Sequence, residues 1–226
     1  MKEGIYVEHN IIRKIKDPGS AITHLIGMLM AASAATPLIL KAKEGFHRGH
    51  VIATVVFIVS MILLYGASTS YHTFDISEKV NTALKKFDHA MIFVLIAGTY
   101  TPVCVIGLGD RIGYLMLTTI WSVAALGITF KMFWVTCPKW VSSVMYIVMG
   151  WLCIIAAPML IRKLGMGAFG WLLTGGIIYT IGGVIYALKG KKFNEKHKYF
   201  GTHEIFHLFC MGGSFCHFML VYLYLV

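Results

Sequence analysis

Seven runs of about twenty mainly apolar residues divide this 226-residue chain, and the charged residues gather between them rather than along them. The runs lie at 21–40, 51–71, 88–108, 113–133, 141–161, 168–188 and 203–226. Some twenty residues at 1.5 Å each cross a hydrocarbon core about 30 Å thick. Inside lipid a segment must satisfy its own backbone polar groups, which favours helix. The pattern predicts an all-α membrane protein, a seven-helix transmembrane bundle. Composition removes the main alternative, a soluble helical protein with a rich core. Only 13% of residues are charged and 58% are hydrophobic, whereas a soluble domain carries about 25% charged residues.

Residues 1–20 read as a polar tail and 21–226 as the membrane domain. The tail lacks a signal-peptide pattern, because Lys2, Glu3, Glu8, Arg13, Lys14, Lys16 and Asp17 precede Pro18 without an apolar stretch. Val7, Ile11, Ile12 and Ile15 recur at helical spacing, as in a short interfacial helix. Counting Lys131 with the connection after the fourth run, fourteen Lys and Arg fall on the side of the N-terminus and six on the other. The positive-inside rule then puts the N-terminus in the cytoplasm and the C-terminus outside, in a multi-pass protein of the inner (plasma) membrane. The net charge of +10 is mostly this bias facing anionic lipid headgroups, with no nucleic acid partner required. The five cysteines, Cys104, Cys137, Cys153, Cys210 and Cys216, are odd in number and form no CxxC pair. They read as small apolar packing residues. Gly175, Gly176, Gly182 and Gly183 read as points of close helix contact.

Ionisable groups in a span are costly and face the bundle interior or a water-filled cavity. Few occur here. Span two ends in Ser68-Thr69-Ser70-Tyr71-His72, span three opens with Phe87-Asp88-His89, and span seven opens with His203-Glu204-Ile205-Phe206-His207. Alternating span directions bring His72, Asp88, His203 and His207 to one membrane depth. His203 and His207 stand at i and i+4, about 6 Å apart on one helix face. Three imidazoles with a carboxylate nearby suit zinc, with a fourth position open for water. Asp88 is then the candidate general base, and Ser68, one turn from His72, a group that orients substrate or stabilises an oxyanion. His24 and His217 read as packed neighbours of such a site rather than as ligands, and His89 as structural.

His203-Glu204-x-x-His207 also fits the HExxH pattern, in which the glutamate is the base of a metalloprotease. No later acidic ligand follows, so the hydrolase with Asp88 as base is the more economical reading, with Glu204 beside the ligands. A retinal protein would need a lysine in the last span, and residues 204–226 contain none.

Ser68-x-x-x-His72, the 87–102 stretch ending in Ala97-Gly98-Thr99-Tyr100-Thr101-Pro102, and His203-x-x-x-His207 together resemble the hemolysin III family. It is the bacterial branch of the progestin and adipoQ receptor superfamily, related to the alkaline ceramidases. The resemblance covers nearly the whole chain, including Ile22-Thr23-His24-Leu25-Ile26-Gly27. It implies a seven-helix bundle with a cytoplasmic N-terminus and zinc near the cytoplasmic face on His72, His203 and His207. Asp88 would hold the water and Ser68 would lie close by. The ceramidase relatives suggest hydrolysis of a lipid amide, the receptor branch suggests signalling, and bacterial members suggest membrane-lipid homeostasis. A departure is Glu204, where relatives often carry an uncharged residue.

Overall fold

A computed structural model describes residues 15–45, 47–188, 190–197 and 200–226. Nearly all of the expected interfacial helix therefore lies outside the described residues. Among the described residues there is no strand.

Span one is the helix Pro18–Glu44, span two Arg48–Thr73, span three Glu78–Pro102 and span four Arg111–Phe133. Spans one and two outrun their apolar runs at both ends, span three begins ten residues before its run, and span four begins two residues before, because helix ends extend into polar caps. Pro18 opens span one at a position where a missing N–H costs nothing. The Ser77 hydroxyl accepts the Val80 N–H at 3.3 Å to start span three. Asp110 does the same for Gly113 at 2.9 Å in span four.

Residues 139–188 form one apolar helical stretch of 50 residues. Straight, it would be about 75 Å long, more than twice a bilayer core. It is folded back at Gly165, whose φ of 82° and ψ of 169° are non-helical and suit glycine. The Trp151 indole N–H donates to Thr180 Oγ1 at 2.9 Å, and Gly183 lies against Ile147. Both pairs flank Gly165 almost symmetrically, which only an antiparallel hairpin allows. Spans five and six are thus 139–164 and 166–188. A short helix, Lys191–Lys196, leads to span seven, Thr202–Leu220 with a wide π turn over Val221–Leu225. Neighbouring spans pack in sequence and span seven returns against span one, closing a seven-helix ring.

Span three carries the main irregularities. Pro102 cannot donate to the helical ladder, and the chain widens into a π turn over Val103–Leu108 before Gly109 ends it in the left-handed region, at φ 60°. Tyr100 compensates for a second break. Span five tightens to a 3₁₀ turn over Leu152–Ala156, and Tyr100 Oη donates to the Gly150 carbonyl at 2.7 Å while accepting the Cys153 N–H at 2.7 Å. Thr101 Oγ1 accepts the Trp121 indole at 3.2 Å. Gly98 lets span two approach, since a Cβ there would sit 2.6 Å from the Ser60 Cβ. The 97–102 motif is therefore a joint binding spans two, four and five to span three.

Three of the four span-six glycines meet neighbours as expected: Gly175 against His217, Gly182 against Phe209, Gly183 against Ile147. Gly176 has nothing within 4 Å and borders a cavity. Lys131 differs from its reading as a headgroup-facing charge. It is fully buried, with Nζ donating to Ser142 Oγ at 2.5 Å and Cys137 Sγ at 3.0 Å. Cys137 is accordingly a partner for a buried cation as well as a packing residue.

Candidate metal centre

The start of span one, the end of span two and the starts of spans three and seven meet at one end of the bundle. His72, on the last turn of span two, and His203 and His207, on the first turns of span seven, each offer one nitrogen, and these atoms lie within 4.8 Å of one another. His72 Nε2 and His203 Nε2 are 3.1 Å apart. Two imidazoles on one tetrahedral zinc, each about 2.0–2.1 Å from it, place their nitrogens roughly 3.4 Å apart. The donor set and spacing fit zinc.

The ring nitrogens facing away from the trio support the same assignment. His72 Nδ1 is 2.9 Å from Asp17 Oδ2, and His207 Nδ1 is 3.0 Å from Thr23 Oγ1. A ligating imidazole normally has its second nitrogen tied in this way, which fixes tautomer and ring plane. The hydrogen bond from His72 also holds the Asp17 carboxyl below the ordinary carboxylate range, against the opposing effect of its partial burial. Asp17 and Thr23 were not singled out from the sequence as site residues. Asp17 belonged to the segment read as a tail, and its only signal was a carboxylate one residue before a helix-starting proline.

Asp88 and Ser68 are both buried and line the same cavity as the trio. The Ser68 hydroxyl neighbours the Asp88 carboxyl. His89 turns aside, with Nδ1 donating to the Lys85 carbonyl at 2.9 Å, and stands 3.6 Å from Asp88. His24 stacks on His207, ring centroids 3.6 Å apart and planes 7° from parallel. Neither of its nitrogens has a hydrogen-bond partner among the described residues. His217 lines the cavity further along span seven.

Glu204 has a different task from the HExxH base. Its Oε2 accepts the Gly201 N–H at 2.8 Å, a helix N-terminal cap made from the third helical position. Its Oε1 accepts the Ser20 hydroxyl, tying span seven to span one. Both oxygens are occupied by structural contacts.

The cavity has a volume of about 440 Å³, within the range of small-molecule sites. It runs from the histidines past Tyr71 and Tyr186 into an apolar interior that includes Leu95, Val103, Phe169 and Leu172. A polar, metal-competent end that continues into a greasy channel suits an amphipath.

Residues 12–218 match the Haemolysin-III related family. The chain is 39% identical over 207 residues to Hemolysin-3 of Bacillus cereus, covering 92% of this chain and 90% of the relative. It is likewise 39% identical over 207 residues to the Hemolysin-3 homolog of Bacillus subtilis (strain 168), covering 92% and 93%. This multi-pass membrane protein belongs to the haemolysin-III-related family.

Proposed function

We propose that the chain is a zinc-dependent hydrolase of a lipid amide or ester, lodged in the inner (plasma) membrane and serving membrane-lipid homeostasis. The histidine end would face the cytoplasm, with the basic connections against anionic headgroups. The observation that carries this reading is the continuity of one cavity from the three histidines and Asp88 into an apolar channel.

Zinc held by His72, His203 and His207 would supply Lewis acidity and lower the pKa of water at the site. Asp88 takes the proton from the attacking water as its oxygen bonds to the carbonyl carbon. It passes that proton to the amine or alcohol as the C–N or C–O bond breaks. Ser68 orients the Asp88 carboxyl or the substrate carbonyl. Asp17 and Thr23 fix the planes of His72 and His207. The apolar channel holds the acyl chain and keeps bulk water from it.

A second reading, a receptor-like or membrane-sensing protein with structural zinc, draws on one observation. The trio itself joins spans two and seven, so a metal there ties the ring together. The two readings separate on purified protein offered a fluorescent ceramide and a p-nitrophenyl acyl ester. The hydrolase reading expects near-stoichiometric zinc, turnover of one probe, and a loss of about 10²–10⁴-fold in Asp88→Asn with zinc retained. Turnover undiminished in Asp88→Asn would remove Asp88 from the mechanism. Bound zinc with neither probe cleaved would favour the structural metal.

A further inference from the structure

Two of the three histidines are backed by the same arrangement, a tyrosine that carries a lysine on its ring. The Tyr71 ring meets that of His72 edge-on, centroids 4.8 Å apart, and Lys16 Nζ stands 3.6 Å from the Tyr71 centroid. The Tyr186 ring lies 5.5 Å from that of His203, and Lys139 Nζ stands 4.3 Å from the Tyr186 centroid. Both tyrosines line the cavity, as do Lys139 and a third lysine, Lys85. The three lysines come from separate elements. Lys16 lies two residues before span one, Lys85 three residues before Asp88 in span three, and Lys139 opens span five. All three are part-exposed at the histidine end of the bundle.

An ammonium on an aromatic face keeps its full charge, because the ring is neutral. The charges of Lys16 and Lys85 both act on the Asp88 carboxyl, and that of Lys139 acts on His203. The carboxylates at this end have other work. Asp17 holds His72 and offsets part of the charge of Lys16 beside it. Asp88 takes the Ser68 hydroxyl, and the Glu204 oxygens are taken by Gly201 and Ser20. Among the described residues neither Lys16 nor Lys85 forms an ion pair.

Position along the cavity assigns this charge to one part of a substrate. The apolar channel beyond the histidines takes the acyl chain, and the scissile carbonyl stands at the trio and Asp88. The lysines occupy the remaining side, where the departing amine or alcohol lies. Like charges gathered at one mouth repel one another, and an anion between them relieves that repulsion. Three ammonium groups match the two negative charges of a phosphate monoester better than the single charge of a carboxylate.

We propose that Lys16, Lys85 and Lys139 hold a phosphate on the leaving side of the substrate, so that the lipid cleaved is an acyl amide or ester with a phosphorylated head. The inference rests on the reading of the cavity as a lipid hydrolase site and adds the class of head group.

The test uses an uncleavable pair, N-(hexadecylsulfonyl)ethanolamine and its O-phosphate, which differ by one phosphate on the leaving side. Binding to the full-length zinc-loaded protein in neutral detergent is measured by calorimetry. Wild type is expected to bind the phosphate form roughly 10-fold more tightly, and high salt should shrink that preference. Lys85→Gln combined with Lys139→Gln should abolish most of it and leave binding of the neutral form intact, while arginine at both positions should keep it. Lys16→Gln should lower it by about 3-fold. Should the double glutamine variant fail to fold, the wild-type ratio, its salt dependence and Lys16→Gln still decide. Equal binding of the pair to wild type would overturn the inference alone. A preference undiminished by both glutamines would put the phosphate on the metal and overturn it as well. Displacement of the phosphorylated lipid by an equal concentration of inorganic phosphate would make this a site for the free ion rather than for a lipid head. Binding of neither member of the pair would overturn the lipid reading of the cavity, and the inference with it.

Discussion

The two ends of the bundle treat their polar groups in opposite ways. At the end that holds Gly109 and Lys163, polar atoms are spent on one another. Lys163 donates to Asp110 at 2.7 Å and to the Leu108 carbonyl, Asp110 caps span four, and Gly109 closes the π turn by donating to the Cys104 carbonyl at 3.0 Å. Lys41 takes the Tyr222 carbonyl and stands 4.4 Å over its ring. These contacts answer the carbonyls and N–H groups that helix ends leave orphaned. At the histidine end a ring of such contacts also exists, in Ser20–Glu204–Gly201, Asp17–His72 and Thr23–His207. Inside that ring, polar atoms are held in reserve. His203 Nδ1 and both nitrogens of His24 are buried with no hydrogen-bond partner among the described residues. Groups left unsatisfied at a cost mark where selection acted on something other than stability.

The comparison breaks most visibly by removing a proposed ligand from the reserved set. His203→Ala should reduce zinc content to near background, an effect larger than the roughly 10- to 100-fold loss typical when only a ligand's hydrogen-bond partner is removed. Metal analysis beside a thermal melt checks this. Full zinc retention would show that the trio is not the site. A ligand's partner gives the smaller effect. Asp17→Asn keeps the size of the side chain but weakens its hold on His72 Nδ1, and is expected to lower zinc affinity by about 10- to 100-fold in competition with a chelator. Unchanged affinity would reduce Asp17 to a contact at the entry of span one.

What could be read in advance divides along the same line. Spans one to seven were legible because twenty apolar residues leave few alternatives, and the hairpin at Gly165 was marked by Arg162 and Lys163 between two apolar runs. His72, His203 and His207 were legible because helical spacing and alternating span direction fix depth without any knowledge of packing. Asp17 was not, since its role depends on where the tail crosses the end of span two. Glu204 shows a pattern with two meanings. HExxH places a carboxylate next to a metal-binding histidine, yet the third helical position also suits a cap, and only coordinates distinguish them. Lys131 shows the limit of charge counting, because a lysine near a span end can be buried on a serine and a thiol rather than face headgroups.

The smallest effect lies at the opposite end and tests whether that end is as independent as its contacts suggest. The Lys163 ammonium and the Gly113 N–H hold the Asp110 carboxyl below its usual value of 3.8. A carboxyl whose folded pKa is depressed contributes stability above its unfolded pKa and loses it as pH falls through the folded value. Wild type should therefore melt slightly higher than Asp110→Asn, by about 1–2 °C for an exposed pair in a chain of this size. The gap should hold from neutral pH down to about 3.8 and close below it, and high salt should narrow it throughout. Zinc removal should leave it unchanged, since among the described residues no contact links Asp110 to the histidines. A gap that instead vanished on chelation would show the two ends to be coupled through spans three and seven, and the division between a closed end and a reserved one would fall.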